Sequence, residues 1–119
     1  MSLNPQMQEV LDQLDSMQPA PVESLPPKTA RQGPTPADAV EKLVAKNDMD
    51  PAPESVDRVE DMTIDGPEGS IEIRVYAPAT DEPLPVLVYW HGGGWVIADL
   101  DTYDATPRAL ANAARCIVV

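Results

Sequence analysis

The residues best equipped for chemistry lie in one run, Tyr89-Trp90-His91-Gly92-Gly93-Gly94-Trp95-Val96-Ile97. An apolar stretch, Val86-Leu87-Val88-Tyr89-Trp90, feeds directly into His-Gly-Gly-Gly. Three successive glycines carry no Cβ, so the backbone can take positive φ and come close to a ligand. Two successive N–H groups can then point into one cavity. Fixed donors aimed at an oxygen that gains negative charge are how acyl-transfer transition states are stabilised. The plainer reading of three glycines after a strand is a tight turn.

The other reactive side chains are few. His91 is the single histidine and Cys116 the single cysteine. Cys116 opens the apolar run Cys116-Ile117-Val118-Val119, which predicts a buried thiol rather than a reactive one. Asp99, Asp101 and Asp104 form a carboxylate group, but the spacing is not an EF-hand loop and lacks its closing Glu. No metal and no cofactor is therefore assigned. Asp104 instead is predicted to cap the helix that follows. Trp90 and Trp95 are candidates for lining a ligand pocket, with core packing the preferred role for Trp90.

The elements that must position the glycine run follow from hydrophobic period. Met7, Val10, Leu11, Leu14 and Met17 recur at spacings of three and four, which predicts an amphipathic helix over 5–17, capped by Asn4 with Pro5 behind it. The proline-rich stretch 19–27 is expected to run extended. Thr35, Pro36 and Asp38 signal a second helix, with Val40, Leu43 and Val44 on its apolar face. From about residue 58 the period changes to two. Strands on either side of Asp65-Gly66-Pro67-Glu68-Gly69 predict an antiparallel hairpin, the second carrying Ile71, Ile73 and Val75 on one face. Residues 86–90 read as a strand buried on both faces. Residues 105–114 are Ala-rich and predicted helical with Leu110 inward, and 116–119 begin another buried strand. A hairpin, a buried strand, a helix and a buried strand in that order predict an α/β sheet, here an incomplete one.

Composition narrows the partners. Eight basic against 20 acidic side chains give a net charge of −12 in 119 residues. Nucleic acid needs a basic face, and an anionic membrane surface does too, so neither is an expected partner. Residues 48–72 hold nine carboxylates and one arginine, which predicts a solvated acidic surface. No run of 18 apolar residues is present to span a bilayer. The N-terminal sequence has neither a basic flank nor a continuous apolar core, so no signal peptide is expected. One unpaired cysteine suits a reducing compartment, and a cytoplasmic location is expected.

From about Val59 to Val119 the chain resembles the hormone-sensitive-lipase-like (bacterial family IV type) esterases of the α/β-hydrolase superfamily. The resemblance is carried by Ile73-Arg74-Val75-Tyr76-Ala77-Pro78, by Pro85 through Trp95, and by Val96-Ile97-Ala98-Asp99-Leu100-Asp101-Thr102-Tyr103-Asp104. It implies an α/β-hydrolase fold divided into a helical cap segment, 1–54, and an incomplete core with the oxyanion loop, 55–119. It implies that the amides of Gly93 and Gly94 are the oxyanion donors. His91, Gly92 and Trp95 complete the loop motif, with His91 orienting the loop rather than acting as base. Where the family often has Gly this chain has Ala98, and where it often has His this chain has Tyr103.

The family also uses a Ser on a Gly-x-Ser-x-Gly elbow, an acid and a His base. The serines here are Ser2, Ser16, Ser24, Ser55 and Ser70, and none is flanked by glycine two residues before and after. With His91 committed to the loop, nucleophile, acid and base are absent from this sequence. The resemblance thus implies the N-terminal part of a carboxylic ester hydrolase for short-to-medium acyl esters, ending before the elbow. It implies a small-molecule ester as substrate and admits a homodimer. The alternative is a catalytically inactive remnant or an interaction module.

Overall fold

The structure is a computed structural model, and it describes residues 3–18 and 20–119. Pro19, which opens the proline-rich stretch, and Ser2 lie outside the described residues. The chain forms two compact units. One comprises Met1–Ala52 and Gly92–Thr102, the other Pro53–His91 and Tyr103–Val119.

The first unit is helical. Helix α1 is Pro5–Met17. The Asn4 side chain accepts the Gln6 amide at 2.9 Å, and Pro5 occupies a position where its missing N–H costs nothing. The apolar stripe of α1 is only partly covered. It packs with α3, yet Met7 and Leu11 remain exposed. Helix α3 is Pro36–Lys46 and opens on a reciprocal cap. The Asp38 amide donates to the Thr35 hydroxyl at 3.3 Å, and the Thr35 amide donates to the Asp38 carboxylate at 2.7 Å. The Thr35 hydroxyl, and then its N–H, hold the Asp38 carboxyl below the usual range.

The expected extended course of 19–27 is corrected. Val22–Ser24 form a short 3₁₀ turn, and a helix α2 begins at Pro27 and runs to Arg31. Pro26 stays extended at φ −58° and ψ 144°, so it ends the extended stretch, while Pro27 starts a helix from its fixed φ. A proline pair broke the helical reading and yet initiates the helix.

The second unit is a four-stranded sheet with one helix on it. Strands β1 (Arg58–Gly66) and β2 (Gly69–Ala77) form the antiparallel hairpin in the register Gly66↔Gly69 to Arg58↔Ala77. Strand β4 (Ile117–Val118) pairs antiparallel with β2 through Tyr76↔Val118 and parallel with β3 (Val86–Leu87), giving the order β1-β2-β4-β3. Backbone bonds from Ile117 to Pro85, Val119 to Leu87 and Tyr89 to Val119 extend the parallel ladder over residues 85–89. Helix α4 (Ala105–Ala114) connects the two parallel strands and covers one face of the sheet. The core is Tyr76, Ala111, Cys116 and Val118, with Val59, Leu87, Tyr89 and Leu110 packed around it. Burial of Val118, fully enclosed, is worth about 1.5–3 kcal/mol.

One expectation about this sheet is overturned. Residues 86–90 are not buried on both faces: Val86, Val88 and Trp90 are exposed, Trp90 at 82%. Period-two geometry explains the split. Leu87 and Tyr89 turn toward the core under α4, and the alternate residues face the side that α4 leaves open. Core packing for Trp90 is corrected on the same ground.

Candidate functional site

The glycine run sits in the segment Gly92–Thr102 of the helical unit. Its backbone turns sharply. The Gly93 carbonyl accepts the amides of both Val96, at 3.1 Å, and Ile97, at 3.0 Å. Gly93 has φ +134°, and a Cβ built there would collide with the Ile97 carbonyl oxygen. Glycine is thus required at 93 by backbone contact as well as by conformation. Gly94 follows at φ +59° with open space where a Cβ would stand. Trp95 and Ala98 also take the left-handed region, at φ +60° and +70°. Each such L residue costs about 1–2 kcal/mol, so the loop needs outside support to persist. No backbone carbonyl among the described residues accepts the Gly93 or the Gly94 amide.

Part of that support comes from a residue the sequence did not single out. Arg31, the last residue of α2, donates from Nε to the Val96 carbonyl at 2.8 Å and from Nη2 to the Trp95 carbonyl at 3.2 Å. A guanidinium fork suits two successive carbonyls. The signal available in the sequence was slight, a lone arginine just past a proline-rich stretch. At the far end of the loop, the Asp99 carboxylate accepts the Thr102 amide at 2.9 Å and its hydroxyl at 2.8 Å. Trp95 itself is almost fully exposed.

His91 belongs to the sheet unit, just after the parallel ladder. Its ring stacks on Tyr103, with centroids 5.4 Å apart and planes 27° apart, and Tyr103 also meets Tyr89 at 6.4 Å. Tyr103 therefore provides a flat partner where the family often has a second imidazole.

The next residue, Asp104, is the centre of a charge cluster. It was expected to cap α4, but it has helical backbone angles and no capping bond. Its carboxylate is engaged elsewhere. Oδ1 accepts Arg74 Nη1 at 3.1 Å and the Tyr76 hydroxyl at 2.9 Å, and Oδ2 accepts Arg108 Nε at 2.6 Å. Arg74 also forks onto Asp61, its direct partner across the hairpin. The Arg74, Asp104 and Arg108 side chains are only 14–20% exposed. Partial burial pushes the Asp104 carboxyl up, but the Arg108 and Tyr76 hydrogen bonds and the Arg108 charge outweigh it, leaving it below the ordinary carboxylate value. Burial, and then the Asp104 hydrogen bond and charge, push Tyr76 up to about 12. Arg74 and Tyr76 lie in the stretch that carried the resemblance, although no role was read for them.

Other sequence candidates stand apart. The Ser16 and Ser24 hydroxyls are tied to the local carbonyls of Gln13 and Pro21. Cys116 is a buried free thiol. Among the described residues no three His, Cys, Asp or Glu side chains come together as metal ligands, and no helix is long and apolar enough to cross a membrane.

Comparison with known proteins bears on this arrangement. Residues 87–119 match the family described as alpha/beta hydrolase fold. Over 65 residues, 52% of this chain and 20% of the relative, the sequence is 51% identical to Esterase LipI of Mycobacterium tuberculosis (strain ATCC 25618 / H37Rv). Over 58 residues, 49% of this chain and 15% of the relative, it is 47% identical to Carboxylic ester hydrolase LipN of the same strain. A solved hyperthermophilic esterase from the archaeon Pyrobaculum calidifontis aligns with 99% of this chain and 35% of its own, at 36% identity and a TM-score of 0.75. The chain thus spans a fifth or less of the length of these curated relatives and about a third of that solved esterase.

Proposed function

The chain is related to the hormone-sensitive-lipase-like esterases of the α/β-hydrolase superfamily, and from that premise we propose that it supplies the oxyanion loop of a carboxylic ester hydrolase acting on short-to-medium acyl esters. The observation that carries the reading is Gly93. Its positive φ, and the Ile97 carbonyl where a Cβ would be, support a turn whose shape only glycine permits, the backbone freedom that two amides turned toward one oxygen require.

In this reading the Gly93 and Gly94 N–H groups donate to the carbonyl oxygen of the ester. A serine hydroxyl attacks the carbonyl carbon, and the oxygen takes the negative charge of the tetrahedral intermediate. A histidine accepts the serine proton and returns it to the departing alcohol, leaving an acyl-serine. Water, giving a proton to the same histidine, then attacks that acyl carbon, and the serine leaves with the proton as the acid is released. Residues 1–119 do not supply that serine, acid and histidine in this reading: no serine here lies between paired glycines, and the single histidine, His91, is assigned to the loop. Gly92 and Trp95 flank the donors. Residues 1–54 serve as cap and 55–119 as core, in a cytoplasmic enzyme with no cofactor.

The test begins with the coding DNA past codon 119. A frame that continues into a Gly-x-Ser-x-Gly elbow, and a product that turns over a chromogenic short-chain ester, are the expected results. A stop codon at that point, with no ester turnover by the purified chain above a Gly93→Pro control, would overturn the reading. The alternative of an inactive remnant or interaction module would then stand.

A further inference from the structure

The Gly94 amide and the Gly93 carbonyl belong to one peptide unit. That carbonyl accepts two amides, those of Val96 and Ile97. Each of those amides shares a peptide unit with a carbonyl gripped by Arg31: Trp95 with the Val96 amide, Val96 with the Ile97 amide. Two short chains of hydrogen bonds therefore run from one guanidinium and converge on the peptide that ends in the Gly94 N–H. Hydrogen bonds in series polarise one another, each strengthening the next by roughly 10–30%. A carbonyl that accepts two polarised donors draws electron density from its own N–H and makes it a better donor.

We propose that Arg31 is a positioning residue that both fixes the loop and strengthens the Gly94 amide as a hydrogen-bond donor. It touches no reacting atom and acts through two peptide units. The catalytic meaning rests on Gly94 being an oxyanion donor, but the relay itself can be read without any ester. The geometry explains three features together. The left-handed Trp95 and Ala98 need external restraint. A helix, α2, starts at a proline and ends at Arg31 within reach of the loop. The fork spans two consecutive carbonyls, which a lysine ammonium cannot do with matched geometry. Water competes for this exposed arginine, so the effect is a fraction of a full donor.

The experiment is amide NMR on the ¹⁵N-labelled 119-residue chain, comparing wild type with Arg31→Gln and Arg31→Lys. The Gly93 amide is the internal control, because its peptide carbonyl belongs to Gly92 and lies outside the relay. Arg31→Gln is expected to move the Gly94 proton upfield more than the Gly93 proton, and Arg31→Lys to fall between. If Arg31→Gln broadens the whole loop, the Arg31→Lys spectrum decides by the same criterion. A Gly94 resonance that stays in place, or that moves only as far as Gly93, overturns the relay. In an ester-hydrolysing product of the longer frame, Arg31→Gln is expected to lower kcat about 3–10-fold with KM little changed, less than the roughly 10²–10³-fold loss of a whole donor. Unchanged kcat beside a shifted Gly94 amide would keep the relay and remove Gly94 from the oxyanion site.

Discussion

At Gly93 the backbone sets the residue type, whereas at Asp104 the neighbouring charges do. The Gly93 position has no side chain to lose, and its identity follows from a carbonyl oxygen standing where a Cβ would be. Asp104 lies on an ordinary helical turn, and its identity follows from two guanidinium groups and a phenol that need an acceptor. The first region is held by backbone bonds and one arginine fork, the second by a mesh of side chains around one carboxylate. They should therefore fail differently. Damage to the glycine loop should cost chemistry before stability. Damage to the Asp104 cluster should cost stability before chemistry.

The largest expected effect is Gly93→Ala in an ester-hydrolysing product of the full frame. A Cβ colliding with the Ile97 carbonyl oxygen cannot be accommodated without moving the turn. Losing one aligned oxyanion donor typically costs about 10²–10³ in kcat. The thermal midpoint should move little, because the loop lies outside the Tyr76–Val118 core. A variant with wild-type kcat would break the comparison from the loop side.

Asp104→Asn is the corresponding break on the other side. It leaves Arg74 and Arg108 without their shared counter-charge. Removing one partner of a buried pair costs about 3–5 kcal/mol. With these side chains 14–20% exposed, solvent screening reduces the expected loss to about 2–3 kcal/mol, read as a lower urea midpoint. Asp61→Asn, at the solvent end of the same arginine, should shift the midpoint less. Equal losses would mean that Asp104 is no hub.

The same cluster predicts a pH dependence of comparable size. Tyr76 is pushed up from an ordinary value of 10.0 to about 12, so the folded state holds this proton more tightly than the unfolded chain. The contribution is complete below pH 10 and lost as pH rises toward 12, a change of about 3 kcal/mol. Asp104 runs the opposite way. Its carboxyl lies below the 3.8 reference, so its contribution is present above that value and lost as pH falls through the folded value. Tyr76→Phe should remove the alkaline slope and weaken the acid one without abolishing it, because Asp104 loses the Tyr76 hydroxyl but keeps its arginine partners. An alkaline slope that survives the substitution would assign it to another group.

Much of this was legible in residue patterns, and what was not has physical causes. The spacing of Met7 to Met17 and the Thr35–Asp38 cap are local signals, and the elements formed where they pointed. The alternation through Ile71, Ile73 and Val75 marks the strand but not its buried face: Ile71 is exposed, and the core residue is Tyr76 on the opposite face, because α4 covers that side. The glycine run was visible as a composition anomaly. What escaped was decided by contacts distant in sequence. Arg31 meets the loop 64 and 65 residues away, and Arg74 meets Asp104 across 30. No period or cap rule encodes such pairs. Residues 86–90 misled because an apolar run states that side chains are hydrophobic without stating which faces have cover. Asp104 misled because a cap and a charge hub use the same carboxylate, and two arginines outcompete the first amides of a helix.

The smallest effect sharpens the comparison by running in the opposite direction to Gly93→Ala. Ala98 sits at φ +70° in the same turn, at a position where the resembling family often has glycine. An L residue there costs about 1–2 kcal/mol. Glycine removes that cost but gives the unfolded chain extra freedom, worth about 0.4–1 kcal/mol against folding. Ala98→Gly should therefore stabilise by about 0.5–1 kcal/mol, read as slower exchange of the Val96 and Ile97 amides that close the turn. Both substitutions exchange the same two residue types within six positions, yet one should open the turn and the other tighten it. Faster exchange in Ala98→Gly would show that the methyl group holds the turn and that strain at 98 is not what Arg31 offsets.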